Sequence, residues 1–237
     1  DIGRRSGHGP DGNVVNRPKR ILLTGFGPFP GVEENATSKL VPEIAERAQR
    51  LIRDVDFAFE VLPVSWRDGP GKARRLIEQF NPAVVLHFGV SEAASGFVIE
   101  TRAATACRTA ADAVGELPPS DFLGGHGDAG KASTIPYTAV VSRLRSCGLP
   151  AELSDDAGGY LCNAVLFDTL SRAQPGLRAG FIHVPTTLTS KSQPMTMADA
   201  VRGGLEIIRA CVEDDLDSDN AQRANSSTRA KPPEGRS

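Results

Sequence analysis

The chain has few cysteines and no long apolar run. Its four cysteines stand apart, without the paired spacing of a disulfide framework or a zinc site, and this favours a reducing compartment. No apolar stretch approaches the roughly 20 residues that a membrane helix needs. The first twenty residues also lack the apolar centre of a signal peptide. We therefore expect a cytoplasmic protein with no membrane partner.

The net charge of the chain is also small. The formal net charge is -2 at pH 7 over 237 residues, so the chain lacks the basic excess that is typical of a nucleic-acid-binding protein. The glycines of TGFGPFPG lack both the GxGxxG order and the Lys-Ser/Thr ending of a phosphate loop. Histidines at metal-ligand spacing are missing as well. We expect no nucleic-acid partner, no metal and no cofactor.

Large apolar residues are almost missing from both ends. Residues 1–18 are rich in Gly, Arg and Asn, and residues 215–237 are polar. We predict that both segments are disordered. Residues 19–214 between them are predicted to form a single α/β domain, because one core can grow to about 250 residues before a chain divides.

Within that domain, short apolar runs alternate with amphipathic ones. RILLTGF, VDFAFEVLPVS, AVVLHFGV, GFVIETRAA, AELS and RAGFIHV predict strands, and helices are predicted at about 37–53, 71–80, 137–146, around Cys162 and at about 197–212. This alternation predicts a parallel or mixed sheet that is covered on both faces. Residues 105–131 have the composition of a long loop, which often serves as a binding element.

Cys162 follows the glycine pair of DDAGGYLCNAVLFDTL and stands at the head of an apolar run with helical spacing. A cysteine in the first turn of a helix is close to free backbone N–H groups and to the positive end of the helix dipole, which favour the thiolate. Cys162 is thus either a nucleophile or an inert buried thiol.

His183 and Glu100 are the two residues that could assist such a thiol. His183, in GFIHVP, is near the carboxyl end of a predicted strand, where open α/β sheets bind their ligands. Glu100 interrupts the apolar run GFVIETRAA and could orient the imidazole. The alternatives are a hydrogen-bonded core histidine and a solvated carboxylate on an alternating strand.

Four blocks resemble, in order, the signatures of the pyroglutamyl peptidase family, also called pyrrolidone-carboxylate peptidases. They are ILLTGFGPFPGVEENATS, VVLHFGV with GFVIETRA, SDDAGGYLCNAVLFDTL and GFIHVP. The resemblance implies a three-layer α/β/α sandwich with a twisted, mostly parallel (mixed) central sheet. It implies a cysteine exopeptidase that hydrolyses the bond after an N-terminal pyroglutamyl residue through an acyl-enzyme. It also implies peptide substrates and a homo-oligomer, tetramer or dimer.

The resemblance implies site roles residue by residue. Cys162 matches the nucleophile, His183 the general base and acid, and Glu100 the group that orients the histidine. Matches to substrate-binding positions are Phe26, Phe29, Asn35, Val90, Tyr160 and Leu161. The chain departs from the family at Gly159, where Arg is frequent, and at Thr105, where Asn is common. Many bacterial members have glutamine where Val90 stands.

Two other functions fit the same residues. A non-catalytic lactam- or peptide-binding homologue would keep the pocket without the chemistry. Another cysteine amidohydrolase, such as an amidotransferase-like glutaminase, would use a similar frame, but it favours a nucleophile on a strained strand-to-helix elbow. The segment 154–161 does not have that pattern.

Overall fold

The computed structural model describes residues 18–120, 123–124, 129–188 and 195–228, with side chains of the last helix described as far as Glu213. The elements in chain order are β1 (Lys19–Phe26), α1 (Ala36–Leu51), β2 (Val55–Leu62), α2 (Asp68–Phe80), β3 (Val84–Ser91), β4 (Phe97–Glu100), β5 (Arg102–Ala103), β6 (Lys131–Ala132), α3 (Tyr137–Ser146), β7 (Ala151–Ser154), α4 (Leu161–Ser171), β8 (Arg178–Pro185) and α5 (Met197–Thr228).

Six strands form one sheet in the order β2-β1-β3-β8-β4-β7. Neighbouring strands are parallel except for β8 and β4, which are antiparallel. β1 and β3 are almost wholly buried apolar runs, as strands covered on both faces must be. The predicted mixed, mostly parallel sheet is confirmed. β5 and β6 form a separate antiparallel pair.

Helices cover both faces of the sheet. α1, α3 and α5 pack against one face through a core cluster that includes Ile21, Leu86 and Ile182. α4 packs on the opposite face around Phe26 and Phe181, and α2 lies beside α4. Alternate residues of each strand therefore belong to different layers, as the period of two in a strand requires. The predicted three-layer α/β/α sandwich is confirmed.

The helix bounds follow local signals in most places. α2 ends before Asn81, whose φ of 47° closes the helix in the left-handed conformation ahead of Pro82. α3 spans the predicted residues 137–146. The predicted end of the last helix at Val212 is wrong, because α5 continues to Thr228. The residues after Val212 are mostly polar, but the sequence has no Gly or Pro between Val212 and Pro232 to break a solvated helix.

The terminal segments predicted as disordered are only partly described. Residues 1–17 and 229–237 lie outside the described ranges, while 215–228 have helical backbone. None of the helices in the described part of the chain combines the length and the apolar character that a membrane span requires.

Candidate active site

The first wall of the site is the loop that follows β1. Asn35 caps α1: its Oδ1 accepts hydrogen bonds from the Thr37 N–H (3.1 Å) and hydroxyl (2.8 Å), and its Nδ2 donates to the Gly27 carbonyl (3.1 Å). The Thr37 hydroxyl oxygen in turn accepts from the Phe26 N–H at 3.0 Å. This chain of bonds fixes the loop that carries Phe26 and Phe29. Asn35 lines the site, but its polar atoms are already used within the loop.

Two aromatic contacts extend this wall towards the start of α4. The ring of Phe29 lies 6.4 Å from that of Tyr160, and Trp66 meets Tyr160 edge-on at 5.3 Å. The Tyr160 hydroxyl donates to the Ala111 carbonyl at 3.0 Å. Tyr160 is the N-cap residue of α4, so these contacts also fix the point where that helix begins.

Cys162 is the second residue of α4, as the sequence predicts. The helix has no side-chain cap, so the N–H groups of its first turn are open to an anionic ligand. The sulfur faces β3 at Gly89, where a Cβ atom would lie only 3.1 Å from Cys162 Sγ. The missing side chain at Gly89 therefore makes room for the thiol. Cys162 is half-buried, so its sulfur is not sealed in the core.

His183 joins Cys162 to Glu100. It pairs with Gly89 across β3 and with Val98 across β4, which puts it beside the cysteine. The His183 Nδ1–H donates to Glu100 Oε1 at 2.7 Å, and both side chains are buried. Because Nδ1 is held by the carboxylate, Nε2 is left for the hydrogen bond that His183 makes with Cys162.

The charges around His183 stabilise its protonated form. Burial opposes the imidazolium, but Cys162 and Glu100 together outweigh it and raise the pKa of His183 to about 10. The second histidine of the sheet behaves in the opposite way: burial between Thr24 and Thr169 lowers the pKa of His87 to about 3. His87 is thus a neutral core residue, and of the two histidines that the structure describes only His183 is placed for proton transfer.

A cavity of about 440 Å³ connects these groups. Its lining contains the predicted residues Phe26, Phe29, Asn35, Val90, Glu100, Tyr160, Leu161, Cys162 and His183. The structure therefore brings all nine site residues predicted from the sequence to one place. Val90 differs from the others because its side chain packs mainly against the core on the opposite face of the sheet. The cavity is within the size range of small-ligand sites.

Asn163 contributes to the site although the sequence did not single it out. It is fully buried, its Oδ1 accepts from the Ala104 N–H, and its Nδ2 donates to the Ala104 carbonyl, both at 2.8 Å. These two hydrogen bonds connect Asn163, the residue after Cys162, to Ala104, which follows β5. The sequence signal that could have identified Asn163 is its position directly after Cys162, the candidate nucleophile.

Asp112 is a second residue that the sequence did not reveal. Its buried carboxylate accepts from the N–H groups of Trp66, Val114 and Glu116, each at 2.9 Å. Burial opposes ionisation, but these bonds, with one from the Ser65 hydroxyl, lower the pKa of Asp112. Asp112 therefore anchors the first part of the predicted 105–131 loop beside Tyr160.

The unusual Gly159 has a local explanation. The Arg108 N–H donates to the Gly159 carbonyl at 2.6 Å, and a Cβ atom at 159 would lie 2.9 Å from that nitrogen. The backbone at Arg108 thus fills the space that a side chain at 159 would need. At Thr105, the other departure from the family, the backbone carbonyl accepts a hydrogen bond from the Leu123 N–H.

Comparison with known proteins assigns the chain to a family. A family model described as pyroglutamyl peptidase matches residues 19–207. The chain belongs to the pyroglutamyl peptidase family. This confirms the resemblance of the four sequence blocks, and nothing in the match favours the two other functions considered from the sequence.

Individual pyroglutamyl peptidase relatives cover most of the chain. The pyrrolidone-carboxylate peptidase of Thermococcus litoralis is 33% identical over 173 residues, which are 71% of this chain and 77% of that protein. The Clostridium perfringens protein of the same name is 31% identical over 211 residues, 84% of this chain and 95% of its own length.

Solved structures of the family share the fold. The T. litoralis pyrrolidone carboxyl peptidase superposes with a TM-score of 0.73 at 29% identity, covering 85% of this chain and 96% of that one. Pyroglutamyl peptidase I of Bacillus amyloliquefaciens gives a TM-score of 0.71 at 25% identity, covering 82% and 95%.

Proposed function

We propose that this protein is a cysteine exopeptidase that removes an N-terminal pyroglutamyl residue from peptides. The observation that carries the proposal is that Cys162, His183 and Glu100 form one connected series in a cavity whose other wall is aromatic. A thiol, an imidazole and an orienting carboxylate in this order are the parts of nucleophilic acyl transfer.

Substrate binding depends on the uncharged nature of the pyroglutamyl ring. Its nitrogen is closed into a lactam and carries no charge, so a suitable pocket is flat and apolar. Phe26, Phe29 and Tyr160 supply such walls.

Acylation begins at the sulfur. The Cys162 thiolate attacks the carbonyl carbon of the pyroglutamyl residue, and the carbonyl oxygen becomes an oxyanion. The uncapped N–H groups of the first turn of α4 are placed to stabilise that charge. The His183 imidazolium donates its Nε2 proton to the leaving amine as the C–N bond breaks, which leaves a thioester on Cys162.

Deacylation reverses the proton transfer. Neutral His183 takes a proton from water, and the resulting hydroxide attacks the thioester. Pyroglutamic acid leaves, and the thiolate and imidazolium are restored. Throughout, Glu100 Oε1 holds the Nδ1–H, so the same nitrogen of the ring serves as acid and then as base.

The test is hydrolysis of pyroglutamyl-anilide compared with prolyl-anilide. Prolyl-anilide has a ring of the same size, but it lacks the lactam carbonyl and carries a charged amine. We expect the wild-type protein to cleave only the pyroglutamyl compound, and the Cys162→Ala variant to cleave neither. Cleavage by that variant at the wild-type rate would overturn the nucleophile, and preference for prolyl-anilide would overturn the substrate.

The cytoplasmic location and the homo-oligomeric state, a tetramer or a dimer, stay predictions. Size-exclusion chromatography with light scattering would decide the oligomeric state.

A further inference from the structure

A single row of paired residues crosses the sheet beneath the cavity. Gly89 of β3 pairs with His183 of β8, His183 pairs with Val98 of β4, and Val98 pairs with Glu152 of β7. Residues that pair directly across neighbouring strands point to the same face of a sheet. Glu152 is therefore on the catalytic face, two strands away from His183.

Glu152 also lines the same cavity as the catalytic groups. Its side chain is exposed, and none of the ion pairs found in the described residues involves it. The nearby Arg145 donates instead to the Ala151 carbonyl. The carboxylate is thus available to a ligand in the cavity.

The fold sets the direction in which a substrate lies. Phe26 and the aromatic wall follow β1, the sulfur of Cys162 lies against β3, and the strand order continues through β8 and β4 to β7. With the pyroglutamyl ring on the β1 side, the leaving peptide extends towards β7. Measured from His183 of β8, which protonates the leaving amine, the two strand spacings to β7 are about 10 Å, the length of about three extended residues.

The charges at that end of the cavity have an acidic excess. Glu152 and Asp156 line the cavity with Arg108, and the third carboxylate of the lining, Glu100, is already paired with His183. We propose that Glu152 is a specificity-determining residue that favours leaving peptides with Lys or Arg among their first three positions. This inference rests on the proposed function, because it assigns the leaving peptide to the β7 side of the same site.

The experiment measures kcat/KM for pyroglutamyl peptides that differ at one leaving position. Lys, Gln or Glu is placed at the first, second or third position after the pyroglutamyl residue, with an amidated C-terminus. Each value is divided by that of the Gln peptide on the same enzyme. We expect a preference for Lys over Glu of about two- to fivefold at one position, a size typical of an exposed charge pair, and a smaller preference in high salt.

Variants identify the source of the preference. Glu152→Gln should reduce it, and Glu152→Lys should reverse it. Glu46→Gln is the matched control, because Glu46 is an exposed acid on α1, on the opposite side of the sheet, and is paired with Arg50; it should leave the preference unchanged.

Three outcomes would overturn the inference. They are equal cleavage of the Lys and Glu peptides by the wild type, a preference that survives Glu152→Gln, and a preference for Glu that disappears in Arg108→Gln. Turnover of the uncharged pyroglutamyl-anilide separates these results from a failure of the proposed function, which would abolish cleavage of every substrate.

Discussion

His183 donates its Nδ1–H to Glu100 Oε1 at 2.7 Å, from one antiparallel strand to the next. Both groups are buried, and Glu100 Oε2 has no hydrogen-bond partner among the residues that the structure describes. The carboxylate is therefore held mainly by the imidazolium. This pair predicts how activity depends on pH.

Replacing Glu100 with Gln should lower kcat/KM for pyroglutamyl-anilide by about a hundredfold, the lower end for a positioned acid–base group. The imidazolium is the acid in the first step, so wild-type activity should fall as pH rises through about 10, the raised pKa of His183. The Gln variant lacks one of the negative charges that raise this pKa. Its alkaline limb should therefore move to lower pH. An unchanged limb in the pH profile would contradict the role of Glu100.

The glycine at position 89 should be essential because of its neighbours. A Cβ atom there would lie 2.7 and 2.8 Å from ring carbons of Phe181 and 3.1 Å from Cys162 Sγ. Gly89→Ala should destabilise the fold by about 1–3 kcal/mol through overpacking. It should also lower kcat/KM by about a hundredfold, as expected when a reacting atom is displaced by about 1 Å. Thermal unfolding and anilide turnover measure the two effects.

Gly71→Ala is the matched control for Gly89→Ala. Gly71 lies within α2, and the nearest atom to an added Cβ is Arg75 Nη1 at 3.6 Å, an ordinary contact. The change should leave turnover intact and stabilise the protein by up to about 1 kcal/mol. If both variants lose activity equally, crowding at Cys162 is not the cause.

Asp112 should position the substrate pocket without touching the substrate. Asp112→Asn sets an amide N–H against the Trp66 N–H, where the carboxylate now accepts a bond of 2.9 Å. We expect the free energy of unfolding to fall by about 1–3 kcal/mol, the cost of an unmatched buried donor. The loosened loop should raise KM more than it lowers kcat, because it holds Tyr160 through the Ala111 carbonyl.

Tyr160→Phe removes only the hydrogen bond from the Tyr160 hydroxyl to the Ala111 carbonyl, and it serves as the comparison for Asp112→Asn. It should reproduce part of the rise in KM with a smaller change in unfolding temperature. A fall in kcat with KM unchanged in the Asp112 variant would show that the loop acts on the chemical step instead.

His87 should make the fold sensitive to acid. Its folded pKa of about 3 is below the value near 6.5 of an unfolded chain, so the unfolded state binds one more proton between these values. The stability that depends on neutral His87 is complete above pH 6.5 and is lost as pH falls, by about 1.4 kcal/mol per pH unit. His183 adds no slope in this window, because it is protonated in both states.

The variant His87→Gln tests this assignment. Glutamine can still bond to Thr24 or Thr169 but does not titrate. The free energy of unfolding, measured in urea between pH 6.5 and 4, should depend less steeply on pH in the variant. Equal slopes for the two proteins would assign the acid sensitivity to other groups.

The sequence predicted the fold where one local signal was decisive. The buried runs of β1 and β3 and the Asn-Pro stop after α2 fall at their predicted places. The end of α5 was missed because polar residues without Gly or Pro are compatible with either a helix or a tail. Cys162, His183 and Glu100 were predicted as candidates, and the structure brings them together, although their roles as a catalytic set stay a proposal.

The residues that support the site were harder to predict. Asn163, Asp112 and the backbone at Arg108 act through partners between 46 and 59 positions away in the chain. Glu152 looks like an ordinary exposed acid on an edge strand until the register with His183 is known. Such relationships depend on strand order and loop path, which spacing in the sequence does not reveal.

The most direct test of the account uses a reagent that combines the pyroglutamyl ring with an alkylating group, pyroglutamyl chloromethyl ketone. Its ketone takes the place of the scissile carbonyl and its chloromethyl carbon the place of the leaving nitrogen. The thiolate that performs the attack should therefore displace chloride from that carbon and be alkylated. Mass spectrometry of the digested protein should locate one adduct per chain, on the peptide that contains Cys162, in proportion to lost activity. An adduct on Cys107, Cys147 or Cys211 instead, or full activity after Cys162 is alkylated, would contradict the account.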